Sequence, residues 1–292
     1  MASNSRISRL PNSRTEVAGL DALEAPIARP ESFWRRAWAA TWPKVVAIVI
    51  AFAAWELVVL SGWKPTYVLP SPFTVLDRLG QDIMTVDLWQ AIAITLRRGL
   101  WGFAIAIVFG VAIGALVSRF RILRAGIGSL ITGLQTMPSI AWFPLAILLF
   151  KLTDEAITFV VVLGAAPSIA NGLIHGIDHI PPVLRRAGRM VGATGINEYR
   201  HVILPAAMPS FVAGLKNGWA FAWRSLMAGE LLVVIAHQAS LGFLLQVNRE
   251  LVDAPGLLAV MITILAIGIL IDSLVFGTIE RRIREKRGLL TA

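Results

Sequence analysis

No cysteine occurs in the 292 residues, which excludes disulfides and thiolate metal sites. Charge is scarce as well. Asp, Glu, Lys and Arg make up 15% of the chain against 56% hydrophobic residues, and the mean hydropathy is +0.70. That balance belongs to membrane proteins rather than soluble domains. Acidic residues are the scarcer sign, 18 against 27 basic, leaving a net charge of +9. A basic chain points to nucleic acid when its bases form one stripe with aromatic platforms between them. Here they sit at the ends of apolar runs, so no nucleic-acid partner is expected and the pattern is that of a polytopic membrane protein. No Gly-x-x-x-x-Gly-Lys-Ser/Thr loop is present to cradle nucleotide phosphates. The nearest imitation, GIGSLITG at 126–133, lies inside an apolar run and reads as small-residue packing. No nucleophile–base or metal constellation is found either. His175 and His179 share a helical face beside Asp178 but lack a third ligand, so they read as an interfacial pair. His201 and His237 read as loop-edge residues.

What is present is a series of apolar runs. Residues 1–43 form a polar tail, with a membrane-surface helix expected near 33–42. The spans are then expected at about 45–63, 91–117, 125–150, 156–174, 208–236 and 255–279, each near the ~20 residues a bilayer requires. Between the first two, Phe73, Leu76, Leu79 and Ile83 suit one face of an interfacial helix. Gly110 and Gly114 in the second run permit close helix approach. The transmembrane region as a whole is 44–280, followed by a basic tail at 281–292. With the N-terminus inside, the inner segments carry 19 Lys and Arg and the outer ones 6, so both ends are expected in the cytoplasm.

The third run is interrupted at Met137-Pro138 and again at Pro144, which predicts a kinked or broken helix. A break frees carbonyls and exposes Gln135, Thr136, Met137, Pro138 and Ser139, which suits a gate or a path lining. Local re-satisfaction by neighbouring helices is the equal alternative. Charges inside spans are costly and are functional candidates for that reason. Glu56 in the first run, with Arg97 and Arg98 near the start of the second, reads as a structural ion pair. Arg224 and Glu230 lie in the middle and outer parts of the fifth run and are path candidates. An arginine beside a water-filled path attracts an anion and bonds it bidentately. The alternative for Arg224 is a pair with Glu56, Glu230 or a backbone carbonyl.

The most elaborate connection is 175–207, between the fourth and fifth runs. Pro181 and Pro182 can open a helix, because a proline in the first turn loses no intrahelical bond. Leu184, Ala187, Met190 and Val191 then recur at helical spacing, with Arg185, Arg186 and Arg189 on the other side. Gly192 and Gly195 suit a helix stop and a turn. An amphipathic helix joined to two spans can carry rigid-body force into both. Resting on anionic lipid is the other use of such a helix, and periodicity does not separate the two.

The stretch RAGRMVGATGINEYRHVILP, residues 186–205, resembles the EAA loop of the inner-membrane permease subunits of bacterial ABC importers. YVLPSPFTVL, TLRRGLWGF, LQTMPSIAWFPLAILLF and LPAAMPSFVAGLKNGWAFAWRSLMAGELL are similar to the nitrate/sulfonate/taurine branch of that family, in the family's order. Arg186 stands where the loop's leading Glu is usual, and Gly188 where its second Ala is usual. The resemblance implies an all-α type I (MetI-like) permease fold of six transmembrane helices in the bacterial inner membrane. It implies two copies side by side, two cytoplasmic ATPase subunits and an extracytoplasmic substrate-binding protein. It also implies no enzyme activity or cofactor in this chain, MgATP being bound by the ATPase partner. Leu184, Arg185, Arg186, Ala187, Gly188, Arg189, Val191, Gly192, Ala193 and Gly195 become the coupling residues, with an acidic ATPase residue expected opposite Arg186. A small anion or zwitterion, an aliphatic sulfonate, taurine or nitrate, becomes the cargo. The rival classes are an autonomous secondary transporter or channel, which needs internal repeats and an ion site, and a membrane-embedded enzyme.

Overall fold

Helices account for every regular element among the described residues of the computed structural model, which are 33–235 and 238–286. The tail before residue 33, Ala236 and His237, and the last six residues lie outside them. The chain divides between Val58 and Val59 into two units. The first is represented by α1, Phe33–Leu60, so the expected surface helix at 33–42 and the first span are one continuous helix running through Pro43.

The second unit begins with α2, Pro72–Ile83, whose start is capped by the Ser71 hydroxyl accepting from the Thr74 N–H at 3.3 Å. Val75 is buried on one side of α2 while Phe73, Leu76 and Ile83 are exposed on another. Arg78 bonds Asp82 at 3.0 Å and Asp253 at 2.9 Å, and these carboxylates, Asp82 first, raise its pKa above the usual value. Next come α3, Val86–Arg119, and α4, Arg121–Thr136, so the loop expected at 118–124 shrinks to Phe120. A break at Met137-Pro138, a short 3₁₀ turn Ser139–Trp142 and α5, Phe143–Phe150, follow. The two arms meet at 102°, because Pro138 offers no N–H to continue the ladder.

The hub is α6, Asp154–Asp178, which packs against α3 on one side and α9, Leu204–Leu232, on the other. Small residues bring these helices together. A Cβ on Gly110 of α3 would meet Ile169 at 2.7 Å, and one on Gly172 of α6 would meet Gly214 of α9 at 2.5 Å. Around this seam Phe143, Ile157, Val161, Ile169 and Leu226 form the core. Between α6 and α9 run α7, Pro182–Met190, the short turn α8, Ile196–Glu198, and a π-helical turn, Tyr199–Ile203. The chain continues as α10, Leu241–Glu250, then α11, Ala254–Ile271, a π turn, and α12, Gly277–Lys286.

Four segments among the described residues are long and apolar enough to cross a membrane: Thr41–Leu60, Val86–Arg119, Asp154–Asp178 and Ala254–Glu285. The bent pair Ile122–Thr136 and Ser139–Phe150 makes a fifth if counted as one span. Helix α9 has ample length at 29 residues but is not among them, since it carries Lys216, Asn217, Arg224 and Glu230. Its charge is handled inside the protein or on a polar face, where hydropathy does not register it.

Candidate functional site

The segment between α6 and α9 is held by local chemistry. Pro182 occupies the first turn of α7, and at the other end Gly192 adopts φ +85°. There the Ala193 N–H donates to the Gly188 carbonyl at 2.9 Å and the Gly192 N–H to that of Arg189 at 3.0 Å. These bonds are a Schellman stop, and the left-handed residue they need is why glycine sits at 192. Gly195, at φ +56°, reverses the chain again before α8.

The apolar edge picked out by spacing does not hold α7 to the rest of the chain. Leu184 is 45%, Met190 82% and Val191 85% exposed, and Ala187 is exposed too. The anchors are Gly188 and Arg185. Gly188 is buried so tightly on Val202 that an added Cβ would lie 2.7 Å from its Cγ2, which accounts for glycine where the family usually has alanine. Arg185 reaches back so that its Nη2 donates to the Ile177 carbonyl at 3.1 Å, in the last turn of α6. Arg186 is exposed and makes no ion pair among the described residues. Arg189 meets Glu198 at a loose 3.7 Å, worth little in water.

At the far end of α9 the in-span charges are mostly paired, with partners the sequence did not suggest. The Glu230 carboxylate, fully buried, accepts from the Thr95 hydroxyl at 2.9 Å, from Arg98 Nη1 at 3.1 Å and from the Gly242 N–H at 3.1 Å. Arg98 also donates through Nε to Asp154 at 2.6 Å and through Nη2 to Gln238 at 2.7 Å. The cluster joins the starts of α3, α6 and α10 to the end of α9. A buried charge is tolerated when paired and hydrogen-bonded, and both conditions are met. Glu230 is therefore enclosed in this cluster, and Arg98 pairs with Asp154 and Glu230.

Arg224 bonds neither Glu230 nor a backbone carbonyl among the described residues. It is exposed on α9, its guanidinium carbon 5.4 Å from the Phe221 ring centroid. At the helix break, the Gln135 side chain donates to the Ser168 hydroxyl at 3.0 Å and accepts from Asn171 at 3.4 Å. Thr136 bonds the Gly133 carbonyl at 2.8 Å, while Met137 and Pro138 are exposed and Ser139 is half-buried. The freed polar groups at Gln135 and Thr136 thus find partners nearby. A cavity of about 1100 Å³ lies among α3, α4 and α6. Its walls are mostly apolar, and none of the path candidates lines it.

The glycines of the 126–133 stretch lie within α4, and a Cβ on any of them would have nothing within 4 Å among the described residues. The expected small-residue packing is not made here. His175 and His179 stack with centroids 5.4 Å apart, and Asp178 bonds Arg124 at 2.7 Å. Among the described residues no group of three His, Asp or Glu side chains could hold a metal. His201 is exposed and bonds the Asn197 carbonyl at 3.2 Å.

The described residues thus combine several segments long and apolar enough to cross a membrane, a short capped helix between α6 and α9, and a buried charge cluster at the other end of α9. The chain belongs to the family described as the binding-protein-dependent transport system inner membrane component, which its residues 102–285 match. It is an ABC importer permease, a transport subunit rather than an enzyme. SsuC of Escherichia coli (strain K12), named for the transport of aliphatic sulfonates, is 32% identical over 236 residues, 80% of this chain and 86% of SsuC. The taurine transport system permease protein TauC of the same strain is 28% identical over 239 residues, 80% of this chain and 85% of TauC. A permease chain in an inward-facing structure of the MetNI methionine ABC transporter matches with a TM-score of 0.54 at 21% identity. The match covers 67% of this chain and 94% of that one, and it fixes the fold as MetI-like.

Proposed function

We propose that this permease imports a small sulfonate-bearing anion or zwitterion, driven by two ATPase subunits that dock on α7. The carrying observation is the outward edge of Leu184, Met190 and Val191, apolar and exposed, with Arg186, one turn before Met190, exposed and without an ion pair among the described residues. Contiguous exposed apolar side chains on a rigidly capped helix suit a protein partner, and Arg186 calls for an acidic residue on it. Both ends of the segment continue into helices packed on each other, α6 and α9, so a push on α7 reaches the seam between them. In this reading α9 is the sixth span, both termini lie in the cytoplasm of a bacterium, and a second copy completes the path. MgATP is bound by the ATPases, and an extracytoplasmic binding protein delivers the cargo. The substrate class rests on the names of the relatives SsuC and TauC.

The test is purification of the chain from gently solubilised membranes with an ATPase assay on the eluate. An ATPase should co-purify, and replacing 183–199 with a Gly/Ser linker should remove it. A preparation without ATPase that still moves taurine into liposomes would make the chain an autonomous carrier.

A further inference from the structure

Helix α9 carries three charged side chains, and two of them have carboxylate or guanidinium partners. Lys216 lies 3.4 Å from Asp272 and 3.8 Å from Glu280, and Glu230 is enclosed with Arg98. Arg224 has no carboxylate partner among the described residues, and its side chain is exposed. An unpaired guanidinium this far along a membrane helix is expensive unless water or an anion meets it. By helix rise it sits about 30 Å from Leu204 and about 12 Å from Leu232. Snorkelling would carry the side chain toward the nearer, Leu232 end. Instead it folds over Phe221, three residues the other way, which turns the charge toward the middle of the helix.

Toward Leu204 the face it occupies carries small side chains and one polar one. Asn217 and Ala213, seven and eleven residues earlier, are exposed and stand on the same side at helical pitch. The opposite side, with Gly214, Gly218 and Gly229, is the one spent on packing against α6 and α5. We propose that Arg224 is the anion-recognising residue of the path, its guanidinium binding the oxyanion head of the cargo on the Ala213–Asn217–Arg224 face. Two parallel N–H donors match two sulfonate oxygens in a way an ammonium cannot. The inference rests on the permease reading above and adds the side chain that selects the cargo's charge.

The absence of cysteine permits a test that needs no knowledge of the natural cargo. Asn217→Cys permease, purified with its ATPase, is treated with 2-sulfonatoethyl methanethiosulfonate, itself an aliphatic sulfonate, or with the trimethylammonium analogue. Adducts are read by the intact mass of this chain, and rates are normalised to a free thiol. The sulfonate should react faster by about tenfold, the order by which a like-signed cleft concentrates a counter-ion. Arg224→Gln should bring the ratio to parity and Arg224→Lys should retain part of it. Ala213→Cys repeats the measurement at a second position should Asn217→Cys fail to fold. A ratio unchanged by Arg224→Gln overturns the inference and includes the case of Arg224 occupied by lipid phosphate or a partner's carboxylate. Failure of both positions to react with either reagent means a dry face and overturns it too. Co-purification of the ATPase in the same sample tells that failure from failure of the permease reading.

Discussion

Glu230 and Arg98 show what a membrane protein does with charges it cannot place in water. Each is buried, and each is surrounded by donors or acceptors contributed by elements distant in the chain, Thr95 lying 135 residues from Glu230. Removing one partner of such a pair leaves the other charged and unmet, at a cost of about 3–5 kcal/mol. Glu230→Leu, which orphans the Thr95 hydroxyl, the Gly242 N–H and one arm of Arg98, should therefore lower thermal stability of the detergent-purified complex severely. Glu230→Gln keeps an acceptor in place and should cost distinctly less. Equal losses would mean that the site needs the charge and not merely the acceptor. Sequence reading marked Arg98 and Glu230 as costly but could not join them, because spacing reveals neighbours only within one helix. Asp154, Gln238 and Thr95 carried no signal at all, being ordinary residues near the ends of runs. Arg224 was legible as a charge within a span, and only the pairing of its companions on α9 singles it out.

Elements were easier to read than pairings where their chemistry is local. The proline start of α7, its glycine stop and the break at Met137-Pro138 each depend on one or two backbone positions, and all appear where their residues stand. The face that α7 presents was not legible. Amphipathic spacing separates two sides of a helix without saying which is buried, and the smallest residue, Gly188, decided it. Gly188→Ala should push α7 off the π turn, since its Cβ would lie 2.7 Å from Val202 Cγ2. Overpacking of this kind costs about 1–3 kcal/mol. Limited proteolysis within 191–195 should quicken in that variant, and ATPase co-purification should fall. Val202→Ala added to Gly188→Ala should restore both, because it removes the methyls in the way. No restoration would place the role of Gly188 in its backbone rather than in the space it leaves. At the α3–α6 seam, Gly110→Val meets Ile169 and the Ala166 carbonyl, neither able to retreat without parting the helices. Loss of folded protein on size-exclusion chromatography is the expected outcome.

For the whole molecule the open quantity is the number and direction of its crossings. Hydropathy alone yields four spans, five with the bent pair, and passes over α9. Yet α9 is about 43 Å long by helix rise, enough to cross the ~30 Å hydrocarbon layer. It packs along α6, which does meet the span criterion, and buries Glu230 against Arg98 at one end. Its length and its packing along α6 predict that α9 is the sixth span. Its two flanks, Asn197 and Leu251, should then lie on opposite sides of the membrane. Direction should follow from the bases: on six crossings with the N-terminus inside, 19 Lys and Arg would share a side with Asn197 and 6 a side with Leu251. In the cysteine-free chain, Asn197→Cys should react with a membrane-impermeant maleimide only in inverted vesicles. Leu251→Cys and Gln90→Cys, both exposed positions, should react only in right-side-out ones. Reaction of Asn197→Cys and Leu251→Cys from one side would make α9 re-entrant. The segment that carries α7 would then share a side with α10, out of reach of any ATPase in the cytoplasm unless α10 faced it too. The three labels therefore decide together whether an engine on one side can drive a path that opens on the other.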